Sequence, residues 1–551
     1  MPWRAGRLRE GMIMDINDNG LFDPYRTVKG FCAAKEGELE SLRDFYKLKM
    51  PNSKLRVIGA AFGKIEKRDP RLFELYFLDR LANAGELASN ARICEVFSES
   101  ATVGEAFDNL LRNVKVAGGY RLSDIAEAAD KRLERVGKVP AEYRSEEKVR
   151  LICGGDEKFY CSPTSSPMPK TQGTYCFLSA KGTEFAGDRM NEVVRLFENI
   201  NIPLLKRIGK GGMIAAMIAT GKSAFVDIKG FDGTDEVQSL SVLTDEIPDS
   251  LILLVDPSDV PKLDRICADS GLFFRVVGRQ SEAQRLTVVY GGGYPISFSL
   301  QVLRAMTDAG RIRVKIPEEN KEVKAEKGFS VSLNGEEAEK FAGCFFCGGN
   351  VFTAVSVRNP DFLSSAKGVI EAVGRLVAAG ADYRKVSLSL NEHLGRNVDA
   401  DLAMLLGIYR ARTELCLTSL SNELTDSEEH GFTVFANSHV GSDMPIWDKV
   451  SERRRGKISV LPPRTGADGL PDMRDMRLLF EYVHGLIEDG KVLSAAFVGS
   501  EGAESAMAEM TCGEVVNVYE NVPFGSFIVE TEIQPDGIPI ADRKLQINRE
   551  N

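Results

Sequence analysis

Apolar residues set the first expectations about this chain. Leu72, Leu75, Leu78 and Leu81 recur at helical spacing in the run Pro70–Ala88, which predicts a helix with one buried face. The apolar run Leu55–Phe62 reads as a strand, and Asp124–Lys138 as a charged helix leading to Pro140. From about 174 to 320, strand and helix patterns alternate. Thr174–Ala180 and Ser250–Pro257 read as strands, and Asp188–Ile200 as an amphipathic helix. Gly211–Gly221 reads as a short apolar helix with glycine at both ends, and Ser258–Gly271 as a helix capped by Ser258 or Asp259. Phe273–Arg279 and Arg285–Phe298 read as a strand and a hairpin turning at Gly291–Gly293. Helices are expected over Ser364–Ala381, Val398–Leu415, Met473–Gly490 and Ala503–Met510. Strands are expected at Lys385–Leu390, Lys457–Pro463, Lys491–Val498 and Gly525–Ile533, and the segment Gly431–Gly441 closes the third region. Residues 163–173, rich in proline and serine, read as a linker, and the charged run 317–327 as a boundary.

Helix, apolar strand, glycine-containing turn and small-residue helix follow in the same order around Gly211 and around Gly502. A weaker echo links 23–42 with 359–376. Together they suggest an A-B-A′-B′ duplication. Composition changes this picture little. The chain has 551 residues, 43% hydrophobic and 27% charged, a globular composition long enough for several domains. Its net charge of −10 argues against a general nucleic-acid binder. No apolar run reaches the roughly 18 residues of a membrane span, and the first residues lack a secretory apolar core. Ten scattered cysteines are no disulfide framework, so the expected location is cytoplasmic. The four histidines, His393, His430, His439 and His484, leave the first 392 residues without an imidazole base.

Three segments carry a resemblance, in order: 239–279, 359–394 and 468–510. The chain resembles the synthetase part of phosphoribosylformylglycinamidine synthase, of the long single-chain type, in the aminoimidazole ribonucleotide synthase superfamily. The resemblance implies an α+β fold with α/β subdomains, built from tandem, pseudo-duplicated domains. N-type domains form a β-barrel and C-type domains are α/β. It divides the chain into 1–150, a degenerate first N-type domain or divergent N-terminal domain; 171–320, a first C-type domain; 328–450, a second N-type domain; and 455–551, a truncated second C-type domain. No glutaminase domain follows. The family uses ATP and magnesium to activate a formamide oxygen, which ammonia then displaces to give an amidine.

The sequence departs from the family where ligands are held. No histidine stands where the first N-type domain carries its catalytic one. The Glu-Ala-x-x-Asn pattern becomes Glu371-Ala372-Val373-Gly374-Arg375: the glutamate is kept, as the metal and nucleotide ligand that the resemblance implies or as a solvated helical carboxylate, and Arg375 replaces the asparagine. Arginine cannot ligate a cation but can hold a phosphate. In the first C-type domain the acidic motif has become Lys206-Arg207-Ile208-Gly209-Lys210-Gly211-Gly212, with the paired glycines kept. In the second, Phe497 stands at the acidic position. A further motif falls on 417–423, keeping Ser419, Asn422 and Glu423. The nucleotide-binding residues expected from the resemblance are therefore Gly211, Gly212, Glu371, Arg375, Ser419 and Asn422, with Glu371 also on magnesium and ATP or ADP as ligand.

Other features have plainer readings. Gly209–Ser223 mimics a phosphate-binding P-loop, but Ala216 stands where its first glycine belongs. Lys206, Arg207, Lys210 and Lys222 could hold a phosphate, although charge runs are more often solvated faces. Cys344 and Cys347 lack a well-spaced second pair for zinc. His393 reads as a satisfied surface histidine. Three functions follow: a catalytically degenerate synthase homologue with a retained structural nucleotide site; an active ligase using ammonia or partner subunits; and a non-catalytic scaffold. Loss of charged ligands within a preserved apolar framework favours the first. Unpaired sheet edges of a worn barrel predict a homodimer or a separate protein partner.

Overall fold

Leu55, Ile58 and Phe62 stand three and four positions apart and all are buried, whereas Val57 is exposed. That is helical spacing, and the expected strand at 55–62 is instead the helix Asn52–Ala61, continued by a π-helical turn at Phe62–Glu66. Strand alternation would have placed Val57 on the same face as Leu55. These observations come from a computed structural model. It describes residues 26–83, 92–98, 101–113, 120–138, 149–153, 172–179, 200, 202, 204–209, 211–219, 223–227, 243–245, 247, 250–289, 295–306, 311–316, 329–333, 336–337, 339–341, 344–347, 350–395, 397–426, 430–440, 457–466, 468–510, 522–531 and 545–546. The linker at 163–171, the helix at 188–199, the Gly291–Gly293 turn and the charged run 317–327 lie outside these residues.

The chain divides into two compact units. The first takes Met1–Glu86, Ile208–Ile247 and Val277–Asp308; the second takes Leu87–Arg207, Pro248–Val276 and Ala309–Asn551. The segment 171–320 thus contributes to both. In the first unit the expected helix forms over Leu72–Asn83 and buries Leu72, Leu75, Leu78 and Leu81. The expected hairpin pairs Arg285–Val289 with Ile296–Ser299, and Ser223–Asp227 lies parallel to its first strand. Phe77 stacks on Phe298 at 5.2 Å, and Phe62 meets Phe298 edge-on at 6.4 Å, closing helices onto hairpin. The chain entering the Leu72 helix is held by Glu74, whose carboxylate takes a two-pronged hydrogen bond from Arg68 at 2.6 and 2.8 Å.

The second unit centres on a six-stranded sheet with two helices. Its strand order is Glu339–Phe341, Cys344–Cys347, Asn350–Arg358, Gly431–His439, Ser387–Leu394 and Ser419–Asp426. All neighbours are antiparallel except the last pair. Asp361 starts the helix Phe362–Ala378 through a reciprocal cap, accepting from the Ser364 N–H at 2.7 Å while its own N–H donates to Ser364 Oγ. Asn397 caps the helix Val398–Leu415, and Cys416 in left-handed conformation ends it. The two helices cross at Gly407. A Cβ there would lie 2.2 Å from the Phe362 carbonyl oxygen and 2.8 Å from Ser365 Cβ. A four-stranded antiparallel sheet in the order Val492–Phe497, Phe527–Thr531, Lys457–Leu461, Leu545–Gln546 carries the helices Met473–Glu488 and Gly502–Met510. Arg92–Ser98 runs parallel to Arg311–Ile316, and Val149–Cys153 pairs with Phe329–Leu333. Strands from the first 153 residues are therefore completed by strands two hundred residues later.

Arg410 on the second helix pairs with Asp468 in the loop before the Met473 helix. Burial pushes the Asp468 carboxyl up. The hydrogen bond and charge of Arg410, with the Leu470 N–H, outweigh it and hold the group below the ordinary carboxylate range. A depressed pKa contributes stability above the unfolded value and loses it as pH falls through the folded one. Asp468→Asn is expected to be less stable than the parent at pH 7. The gap should close on acidification through about pH 4 and below, read by urea midpoints at each pH.

Candidate functional site

The expected ligand positions fall into three clusters. In the first unit, Gly211 and Gly212 take φ of +78° and +65° and lead into the helix Gly212–Ala219, as expected. A Cβ on Gly212 would meet the Leu243 carbonyl oxygen at 2.5 Å. The turn therefore needs glycine for conformation and close backbone packing, whatever it binds. Lys206 and Arg207 end the strand Leu204–Arg207, and Lys210 and Lys222 lie outside the described residues.

In the second unit, Glu371 is fully buried on the Phe362 helix. One carboxylate oxygen accepts from Arg375 Nη2 at 2.6 Å, and the other from the Ser500 N–H at 2.9 Å and Ser500 Oγ at 2.7 Å. Glu371 and Arg375 are indeed brought together, but as an ion pair one helical turn apart. Their third partner is the loop that precedes the Gly502–Met510 helix. Among the described residues no group of three or more histidines, cysteines, aspartates or glutamates could hold a metal. The guanidinium stands where a cation would have to approach. The described residues around Glu371 do not fit a magnesium centre.

Ser419 and Asn422 are also brought together, around a carboxylate that the sequence did not single out. The Ser419 N–H donates to Asp130 Oδ1 at 3.1 Å, Ser419 Oγ to Oδ2 at 2.7 Å and Asn422 Nδ2 to Oδ2 at 2.6 Å. Arg412, with no exposure, pairs with the same carboxylate. Asp130 lies on the helix Ala128–Arg135 and Arg412 near the end of the Val398 helix. A sequence signal for Arg412 exists: it follows Ile408 by four positions and precedes Leu415 by three, which puts a charge on an apolar stripe. Asp130 offered no comparable signal within a charged helix.

His393 is not a surface residue. It lies near the end of Ser387–Leu394, flanked by paired strands on both sides, and every residue of that strand is buried. Nearby, His430 Nε2 stands 3.4 Å from the buried Asp401, which also accepts from the Gly395 N–H at 2.8 Å. Burial pushes the Cys176 and Cys267 thiols up to about 12, which leaves neither poised as a nucleophile. Cys344 is buried at the start of its strand. Among the described residues no helix is long and apolar enough to cross a membrane.

No family model matches the chain, and no curated protein matches it. Solved structures do. PurL from Thermotoga maritima complexed with ATP is 14% identical with a TM-score of 0.44, covering 70% of this chain and 71% of its own. Phosphoribosylformylglycinamidine synthase II from the same organism is 15% identical with a TM-score of 0.45, covering 70% and 72%. Thiamine monophosphate kinase from Aquifex aeolicus is 11% identical with a TM-score of 0.26, covering 38% of this chain and 90% of its own.

Proposed function

We propose that the chain is a catalytically degenerate relative of the phosphoribosylformylglycinamidine synthases of purine biosynthesis, with ligand-holding positions turned into internal polar contacts. The observation that supports this most directly is Glu371. Its carboxylate is buried, neutralised by Arg375 and hydrogen-bonded by Ser500. Magnesium would have to displace a guanidinium 2.6 Å away. Nucleotide, ATP or ADP, remains the proposed ligand, now independent of magnesium, and association with a second copy or a separate chain belongs to the same proposal.

The test uses nucleotide-stripped protein with ATP, magnesium, the formamide ribonucleotide and ammonia. No ADP is expected above the blank. Calorimetric titration with ADP is expected to give the same affinity in magnesium and in EDTA. ADP release that requires both co-substrates would overturn the degenerate reading in favour of an active ligase. Binding that vanishes in EDTA would return Glu371 to a metal role.

A further inference from the structure

Four donors converge on Asp130, yet the cradle that holds it has more capacity than one carboxylate uses. Arg412 is fully buried. Its Nε and Nη1 donors have no hydrogen-bond partner. Buried guanidinium donors without partners cost free energy. The occupant in place is one singly charged group with two oxygens. A phosphoryl group brings three or more oxygens and up to twice the charge. Its geometry suits an arginine fork with flanking hydroxyl, amide and backbone N–H donors. Asp130, Ser419 and Asn422 are each only half-buried, whereas Arg412 is not exposed.

We propose that Arg412, Ser419 and Asn422 form an oxyanion cradle for a phosphoryl group, and that Asp130 is a built-in anion that occupies it. The aspartate enters from a helix nearly three hundred positions earlier in the chain, so the cradle and its plug are separate pieces of sequence. A free phosphate monoester must then compete with a tethered carboxylate, and the intact protein discriminates against it. The cradle rests on the synthase reading in so far as Ser419 and Asn422 are its nucleotide positions; phosphate binding by the Asp130 variants is measured apart from ADP binding, so either can fail alone.

The experiment measures inorganic phosphate binding to the full chain, by calorimetry and by the melting temperature in phosphate against chloride at equal ionic strength. Asp130→Ala and Asp130→Asn are compared with the parent. Both variants are expected to bind phosphate saturably, at least about tenfold more tightly than the parent, and to melt higher as phosphate rises. Adding Ser419→Ala, which removes one donor and little volume, is expected to weaken that gain. If Asp130→Ala is too unstable for calorimetry, its phosphate-specific stabilisation and the binding of Asp130→Asn decide the matter. Phosphate that affects neither variant, affects the parent equally, or binds as tightly after Ser419→Ala would overturn the proposal.

Discussion

Gly407→Ala is expected to destabilise the second unit by about 3 kcal/mol or more, measured as a lowered urea midpoint with little change in slope. The new methyl would lie 2.2 Å from a backbone carbonyl oxygen and 2.8 Å from Ser365 Cβ. Neither atom belongs to the far end of a flexible side chain, so relief requires the helices Phe362–Ala378 and Val398–Leu415 to move apart. That separation would loosen a core in which Val369, Val373, Leu402, Leu405 and Leu406 are all essentially unexposed. Overpacking of this kind is felt because protein interiors are packed to crystal density. The control is Gly485→Ala on the Met473 helix, where a Cβ meets nothing within 4 Å. The same chemical change there should stabilise by about 0.5–1 kcal/mol, through helix propensity and a stiffer unfolded chain. A similar loss at both positions would mean that the crossing is looser than its geometry states.

The same helices were the most legible part of the chain. Val398–Leu415 has the bounds that its apolar pattern predicts, because an asparagine cap and a long apolar face agree on one answer. Strands flanking the helices were legible for the same reason, as apolar runs bounded by turns. Leu55–Phe62 reads as a strand because seven of its eight residues are apolar or small, and such a run carries no period until burial shows which are inside. Sheet order was not legible. Arg92–Ser98 finds its partner at Arg311–Ile316, and nothing local to either strand encodes that pairing. The division into two units also escaped the sequence, since each is assembled from three separated stretches.

Among site residues, pairs close in sequence were brought together. Glu371 and Arg375 meet because four positions make one helical turn, and Ser419 and Asn422 meet on one carboxylate at the start of one strand. What the sequence could not supply was the third partner of each pair. Ser500 and Asp130 reach their sites by tertiary folding, and both change the chemistry. A glutamate read as a ligand becomes an ion-paired carboxylate, and a serine and asparagine read as nucleotide contacts become donors to an internal anion. Gly212 adds a parallel lesson. Its packing against Leu243 means that a substitution would disturb the turn even if no ligand touched it, so it is a poor probe of binding.

Glu371 supplies the sharper probe. Glu371→Ala is expected to cost about 3 kcal/mol, since it leaves the Ser500 N–H without its acceptor and Arg375, mostly covered, without its counter-charge. The loss should be the same in magnesium and in EDTA. Arg375→Ala alone should also destabilise, because it strands a carboxylate with no exposure. The double variant should be only slightly worse than Glu371→Ala, giving a coupling of about 1–3 kcal/mol between the two residues. A carboxylate kept for a cation behaves differently. It is held against its neighbours at a cost, so its removal leaves the metal-free protein as stable as before or more so, and its effect appears only when magnesium is present. Equilibrium unfolding of the three variants, each in magnesium and in EDTA, therefore separates a structural ion pair from a retained ligand without any assay of turnover.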